Sequence, residues 1–395
     1  MNLIKKPIVI VGSGFAGINT ALSLKKINPS VPILVIDSHS RFIFKPLLYE
    51  VLSDEIKSWE VAPKLETVFE NSRITFLQNK LTSVHLSRNS LKFEDDLEIE
   101  YQYLVLCTGS IPNTFSIDGV DRYCNFFNNI NDQQKLKILL DYSVNNSINK
   151  NLVIIGAGPS GVELACKIND IYNNYFKISL IEQAQEILPM NKLFNREEAE
   201  KAIFKRKINI FLNTSVKEVT KEKVRVSDEL NQEKYLESDV SIWTAGVKPT
   251  LPFFDSEVEK CKQRLAVNSY LQLKSHANVF ALGDIACIEG SEDLPVTAQV
   301  AMQQGLHTAK NLNALISNTQ LSTFQFIDNG EMISLGIGEA SISGMGLTLA
   351  GKLAFDIRRL IYASKLPLLR KSLQSTASWL LDKKSLFSQM LIKND

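Results

Sequence analysis

The sequence predicts an α/β fold built from two Rossmann-like βαβ units in series, with a C-terminal amphipathic helical region behind them. Three observations predict it. The stretch from Pro7 to Asp37 runs from a β-branched strand through Gly12-Ser13-Gly14-Phe15-Ala16-Gly17 into a helical pattern and a second strand. The same succession returns between Leu152 and Glu182, around Gly156-Ala157-Gly158-Pro159-Ser160-Gly161. From Leu349 onward, apolar residues recur at helical spacing among basic ones.

Each position of the first unit has a physical task. Ile8-Val9-Ile10-Val11 suits a strand buried on both faces. Gly12 permits a tight turn, Gly14 lets the backbone approach a pyrophosphate, and Gly17 lets helix and strand pack closely. The helix that follows, with Ala21, Leu22, Leu24 and Ile27 at helical spacing, offers free N–H groups and a positive dipole at its start. Asp37 closes the run Ile33-Leu34-Val35-Ile36, twenty residues after Gly17, where a carboxylate accepts hydrogen bonds from a ribose diol. Strand, glycines, helix, strand and acid in register predict a bound dinucleotide.

Between the two units, Arg41 to Glu50 is aromatic, apolar and broken by Pro46, which suits either a packed loop or a wall beside a flat ring system. Residues 55–70 read as helical and residues 74–93 as short alternating strands. Tyr103 to Cys107 is another buried strand, ending in Thr108-Gly109, where a backbone can approach a ligand. Residues 124–147 read as a crossover between domains, with a helical pattern at Leu136, Ile138, Leu139 and Leu140. In the second unit Glu182 stands 21 residues after Gly161. An acid there favours a free ribose diol, and Gln183-Ala184-Gln185 supplies no arginine for a 2′-phosphate, so the expected ligand is NADH rather than NADPH. Trp243-Thr244-Ala245-Gly246 closes this domain. Beyond it, Asn278 to Leu282 is a buried strand running into Gly283-Asp284, and Gln299 and Gln303 lie four apart on one face of a helix. The expected domains are 1–115 with 265–325, then 116–264, then 326–395.

At 395 residues, with 45% hydrophobic and 22% charged residues, the chain is globular and too long for one core. The net charge of +1 gives no reason to expect nucleic acid as a partner, but it hides an asymmetry. Residues 341–395 hold nine Lys and Arg against three Asp and Glu, a charge of +6, while the rest holds 35 against 40. No apolar run reaches the length of about 18 residues that spans a bilayer, so any membrane contact is expected to be peripheral. The N-terminus has no apolar leader, and the protein is expected to stay in the compartment where it is made. Five scattered cysteines (Cys107, Cys124, Cys166, Cys261 and Cys287) read as reduced thiols, and four histidines form no metal-ligand cluster with them.

Taken together, these stretches resemble the two-dinucleotide flavoprotein disulfide-reductase superfamily over about the first 325 residues. Within it, Phe44-Lys45-Pro46-Leu47-Leu48, Trp243-Thr244-Ala245-Gly246-Val247 and Ala298-Gln299-Val300-Ala301-Met302-Gln303 resemble the type II NADH dehydrogenases, single-subunit NAD(P)H:quinone oxidoreductases. There is a further likeness to their cyanobacterial and plastid branch, which includes demethylphylloquinone reductases of vitamin K synthesis. The resemblance implies FAD in the first unit, held by Gly12, Gly14, Phe15, Ala16, Gly17, Asp37, Lys45, Thr108, Gly109 and Asp284. It implies NADH, or NADPH, on Gly156, Gly158, Gly161, Glu182 and Gly246. Glu163 matches a family carboxylate near the nicotinamide and flavin, and Gln299 and Gln303 match residues beside the quinone. The bland alternative for the glutamines is an ordinary polar helix face. The chain departs from many family members at Ile337-Gly338-Glu339, where they carry basic or neutral residues.

In the tail, Leu353, Ile357, Leu360 and Ile361 fall on one helical face, and a second pattern follows Pro367 with Leu369, Leu373, Ala377, Leu380 and Leu381 among Arg370, Lys371, Lys383 and Lys384. This pattern suits either a membrane-surface helix or a dimer or core contact, and the charge with the resemblance favours an anionic membrane surface. The expectation is a peripheral protein on the cytoplasmic side of a plasma or thylakoid membrane, with a membrane quinone as partner and a homodimer as a further expectation. Three rival functions are a thiol-based disulfide reductase, for which no cysteine pair is visible, a sulfide:quinone oxidoreductase using Cys124 or Cys287, and a redox-sensing protein that turns over slowly.

Overall fold

A computed structural model describes residues 6–148 and 150–367. They divide into two compact units. One is formed by the residues up to Phe42 with Pro63–Ile111 and Val247–Ile327, the other by Ile43–Ala62, Pro112–Gly246 and the residues from Asp328 on.

The first unit is organised by a nine-stranded sheet. From one edge inward, the parallel strands Thr75–Gln78, Ile33–Asp37, Ile8–Val11, Tyr103–Leu106 and His276–Ala281 lie side by side in that order. Val11 sits between Ile36 and Leu106, and Leu106 beside Ala281, so these strands finish along one edge. Ile8, Val9, Ile10, Leu104, Val105, Val279 and Phe280 are fully buried, as the apolar runs require. The helix Phe15–Ile27 packs along the helix Ala298–Ile316. Glycine is needed at the crossing, because a Cβ on Gly305 would fall 2.5 Å from the Ala16 carbonyl oxygen.

The second unit repeats the plan with the parallel strands Asn209–Phe211, Lys177–Ile181, Asn151–Ile155, Val240–Trp243 and Cys124–Asn125 in that order. Alternate residues of Asn151–Ile155 feed two cores. Leu152 and Ile154 join Leu136, Leu140, Val162 and Leu164, while Val153 and Ile155 join Val216, Val219, Val224 and Trp243. The segment read as a crossover is therefore part of this core: its helix Ile130–Asn145, capped where Asn129 accepts from the Asp132 N–H at 2.9 Å, contributes Leu136 and Leu140. The helix read over 55–70 is two short ones, Ser58–Val61 and Leu65–Phe69, because Pro63 bars the residue before it from continuing.

The C-terminal part of the second unit is a meander, Glu331–Ser334, Ala340–Gly344 and Leu347–Gly351, followed by the helix Lys352–Ser364. This helix turns its charges inward. Arg358, Arg359 and Asp356 are buried beside Ala354, Phe355 and Ala363, whereas Leu353 is 41% exposed and Ile357, Leu360 and Ile361 are half-buried. The pattern after Pro367 lies outside the described residues.

Cys261 and Cys287, read as free thiols, are instead joined in a disulfide with Cα atoms 5.8 Å apart. They are 26 residues apart in sequence, yet the strands Lys260–Cys261 and Ala286–Ile288 both pair with Arg264–Val267, a proximity that spacing does not reveal. Cys107, Cys124 and Cys166 are free thiols.

Candidate cofactor and redox sites

In the first unit, four strand-end loops meet at one edge of the sheet: Gly12–Gly14, the residues at Asp37, Thr108-Gly109, and Gly283-Asp284. Gly12 has a φ of +98°, and a Cβ there would overlap the Cys107 carbonyl; a Cβ on Gly17 would overlap the Gly12 carbonyl. At Gly14 and Gly109, by contrast, an added Cβ would meet no atom within 4 Å. The glycines thus serve two ends, close packing at Gly12 and Gly17 and open approach at Gly14 and Gly109. The helix Phe15–Ile27 has no side-chain cap and no acid in its first turn, so its leading N–H groups face the loop. Ala16 is buried beneath it, and the Phe15 ring meets Phe42 edge-on at 5.3 Å. Thr108 donates its hydroxyl to the Thr250 carbonyl, and Asp284 accepts from Ser110 Oγ at 2.5 Å.

The second unit has the same cradle. Gly156 has a φ of +102°, a Cβ on Gly161 would overlap the Gly156 carbonyl, and one on Gly158 would meet nothing within 4 Å. The Thr244 hydroxyl closes the loop by donating to the carbonyls of Ile155 and Gly156, each at 2.9 Å. Gly246, at a φ of +73°, passes the Phe115 ring. Lys45 lies in this unit at the start of a 3-10 turn, Lys45–Leu47, and is exposed.

The two acids are held alike. Asp37 accepts from the Ser13 N–H at 2.7 Å and the Ser13 hydroxyl at 2.6 Å, while Glu182 accepts from the Ala157 N–H at 2.7 Å. Ser13 and Ala157 occupy the same place in their loops, directly after the first glycine. Each carboxylate is thereby fixed to its own glycine turn. Burial pushes the Asp37 carboxyl up, but hydrogen bonds from His39 and Ser13 outweigh it and hold the group below the usual aspartate range.

Gln299 and Gln303 lie half-buried on the helix Ala298–Ile316. Gln303 has spent its amide: Nε2 donates to the Ile327 carbonyl at 2.8 Å and Oε1 accepts from the Ile327 N–H at 3.0 Å. It is one rung of a clamp with four-residue spacing. Further along, Asn311 donates to Ser322 O at 2.9 Å and accepts from Ser322 N at 3.0 Å, and His307 Nε2 lies 2.8 Å from the same carbonyl. Sequence spacing put Gln303 on one face with Gln299 but gave no sign of this clamp, which holds the segment after the helix.

Glu163 is 6% exposed, on the helix Pro159–Ile171 just past the glycines. Its Oε1 accepts from the Ser334 N–H at 2.8 Å and lies 3.4 Å from Arg358 Nη2. Arg358 is fully buried, pairs through Nη1 with the fully buried Glu50, and donates to the Pro46 carbonyl at 2.8 Å. One turn beyond Glu163, Lys167 donates to Glu55 at 2.5 Å and to the Gly336 carbonyl at 3.0 Å. Burial pushes the Glu163 carboxyl up to about 7, against the pull of Arg358, the Ser334 N–H and Lys167 and with the repulsion of Glu50. Sequence reading found Glu163 and missed Arg358, Glu50, Lys167 and Glu55; a lone buried charge gives no sequence signal of its partner. Glu339 lies in an ion-pair group, with Lys205 at 2.6 Å and Arg206 at 3.1 Å.

The profile of the pyridine nucleotide-disulphide oxidoreductase family matches residues 6–305. The chain is 31% identical over 393 residues to demethylphylloquinone reductase NdbB of Synechocystis sp., covering 94% of this chain and 95% of that protein. It is 29% identical to the chloroplastic/mitochondrial alternative NAD(P)H-ubiquinone oxidoreductase C1 of Arabidopsis thaliana, covering 95% of this chain and 80% of the relative. In fold it is similar to NDH2 from Plasmodium falciparum in complex with NADH, with a TM-score of 0.86 at 20% identity over 97% of this chain and 99% of the other.

Proposed function

The chain belongs to the pyridine nucleotide-disulphide oxidoreductase family, and within it we propose that it is an FAD-dependent NADH:quinone oxidoreductase that pumps no protons. The observation that carries this reading is the pair of glycine cradles, each with open space at its second glycine and a carboxylate fixed to its own turn. Those features fit dinucleotides in both units. The chemistry FAD supplies when bound is acceptance of a hydride from NADH and delivery of two electrons to a quinone.

In this reading the first unit holds FAD. Gly12, Gly14, Gly17, Thr108 and Gly109 give the backbone approach, with Phe15 and Ala16 at the helix start. Asp37 takes the ribose diol and Asp284 the ribitol. Gly156, Gly158, Gly161 and Gly246 shape the NADH cradle, and Glu182 takes its ribose hydroxyls. Glu163 holds a proton at its buried carboxyl. Gln299 donates to a quinone carbonyl and stabilises charge as it develops, and Gln303 fixes the segment at Ile327. Lys45 serves as a further cofactor-binding cation.

The sulfide-oxidising alternative needs a thiolate, yet burial beside Asp121 pushes the Cys124 thiol up to about 12, and Cys287 is bonded to Cys261. Among the described residues no helix is long and apolar enough to cross a membrane. We place the outward apolar stripe of Lys352–Ser364 and the basic residues that follow against an anionic membrane surface on the cytoplasmic side, where a bilayer quinone is met. The domain division 1–115 with 265–325, 116–264 and 326–395 follows these roles, and a homodimer belongs to the same reading. The name of the Synechocystis relative makes a demethylated phylloquinone the first acceptor to test.

Anaerobic mixing of the FAD-loaded protein with NADH should bleach the flavin within milliseconds to seconds, and a naphthoquinone should restore its colour. Bleaching without recolouring by any quinone would leave the redox-sensing alternative standing. In the same experiment Glu182→Ser should weaken NADH use by about tenfold and narrow the preference over NADPH, since two ribose hydrogen bonds are lost and the repulsion of a 2′-phosphate disappears. An unchanged preference would remove Glu182 from the site.

A further inference from the structure

We infer that Gln304 is a positioning residue for the flavin site, because its buried side-chain oxygen fixes the turn that presents Asp284. The inference rests on the reading that the first unit binds FAD. Gln304 is 2% exposed, and its Oε1 accepts from the Gly283 N–H at 2.6 Å. Gly283 has a φ of +69° and opens the short turn Gly283–Ile285 at the end of the strand His276–Ala281. A half-buried N–H at the start of such a turn is best satisfied by a fixed acceptor. Gln304 supplies it from another element, 21 residues away.

The surroundings show why a long side chain is used at this position. A Cβ on Gly283 would lie 3.6 Å from the Ala301 methyl and 3.8 Å from the Ala16 methyl, and Gly305 sits against the Ala16 carbonyl. Three small residues, Ala16, Ala301 and Gly305, set how closely the helix Ala298–Ile316 approaches the turn and the glycine-loop helix. Gln304 fills the remaining distance with a hydrogen bond. The turn it holds is tied onward, since Asp284 accepts from Ser110 Oγ at 2.5 Å, next to Thr108-Gly109. One amide therefore sets the register of a helix against two of the loops assigned to FAD. Gln299, on the same helix, keeps its own place in that register.

Gln304→Leu keeps the size and removes the acceptor, which takes from the half-buried Gly283 N–H its side-chain partner and frees the turn. The FAD dissociation constant, read from flavin fluorescence released on diluting the loaded full chain, should rise about tenfold or more. Gln304→Glu keeps an acceptor oxygen at the same reach and should recover most of that affinity. Thr308→Val, one turn along the same helix at another buried position, serves as the packing control and should leave FAD binding as it is. The thermal midpoint of the flavin-stripped full chain is followed in each variant.

Weaker FAD binding in Gln304→Leu, with recovery in Gln304→Glu and a midpoint no lower than that of Thr308→Val, supports the inference. Two results overturn it: FAD affinity in Gln304→Leu equal to wild type, or an equal loss in Gln304→Leu, Gln304→Glu and Thr308→Val, which is what mere packing would give. Failure of the wild-type chain to take up FAD overturns the flavoprotein reading itself and the inference with it.

Discussion

Arg358→Met is expected to destabilise the second unit by about 3–5 kcal/mol, the usual cost of removing one partner from a buried ion pair. The guanidinium has no solvent exposure, nor has the Glu50 carboxylate it pairs with, and Glu163 shares the same cation. Its Cζ also lies 4.8 Å from the centre of the Tyr362 ring. Burial pushes the Glu50 carboxyl up, yet Arg358, Lys167 and Arg359 together hold it below the usual glutamate range. Removing Arg358 strips away the largest of those attractions, and Glu50 must then take up a proton or admit water. The pH dependence follows in sign. A carboxyl whose folded pKa is depressed contributes stability that is present above its unfolded pKa and lost as pH falls through the folded value, so the wild type's margin over Arg358→Met should shrink in acid. Urea unfolding near neutral pH measures the loss. Arg358→Met combined with Glu50→Leu should recover much of it, because an apolar pair leaves no buried charge. A loss under about 1 kcal/mol would mean that water reaches this pair in solution.

That ion pair also marks where the sequence stopped being legible. The glycine loops could be read because their chemistry is local: Gly12, Gly14, Gly17 and Asp37 belong to one continuous βαβ unit, and in the structure Asp37 lies against that unit's own loop at Ser13. Glu182 is likewise brought to Ala157. Arg358 and Glu50 are 308 residues apart, and neither position carries a local sign of the other. The helix Lys352–Ser364 shows the consequence. Its apolar stripe at Leu353, Ile357, Leu360 and Ile361 was plain, but periodicity alone does not say which face turns inward. The inward face was decided by a distant carboxylate, so the arginines went in and Leu353 stayed out. Gln303 is a related case. Spacing put it on one face with Gln299, and only the fold showed both ends of its amide committed to the backbone of Ile327.

Glu163→Gln is expected to slow the enzyme about a hundredfold, the scale of a single lost general acid or base, and to erase an inflection near neutral pH. The carboxyl's pKa of about 7 comes first from burial, which favours the neutral form, opposed by Arg358, the Ser334 N–H and Lys167 and aided by Glu50. The group therefore changes protonation within the range where the enzyme must work, as a proton-exchanging residue needs. Glutamine keeps the acceptor for the Ser334 N–H while removing the proton chemistry, so the fold should survive. The rate with NADH and a naphthoquinone, measured from pH 5.5 to 8.5, should show about one inflection in the wild type and none in the variant. Stability supplies an independent check. Because the folded pKa is raised above the ordinary glutamate value, the folded chain holds the proton more tightly than the unfolded chain. The contribution of Glu163 is fully present below the unfolded pKa and lost as pH rises through about 7, and so Glu163→Gln should gain on the wild type between pH 5 and pH 8. Parallel stability curves would place the carboxyl's pKa well below neutrality. A missing rate inflection beside a present stability difference would keep the buried proton but remove it from the reaction.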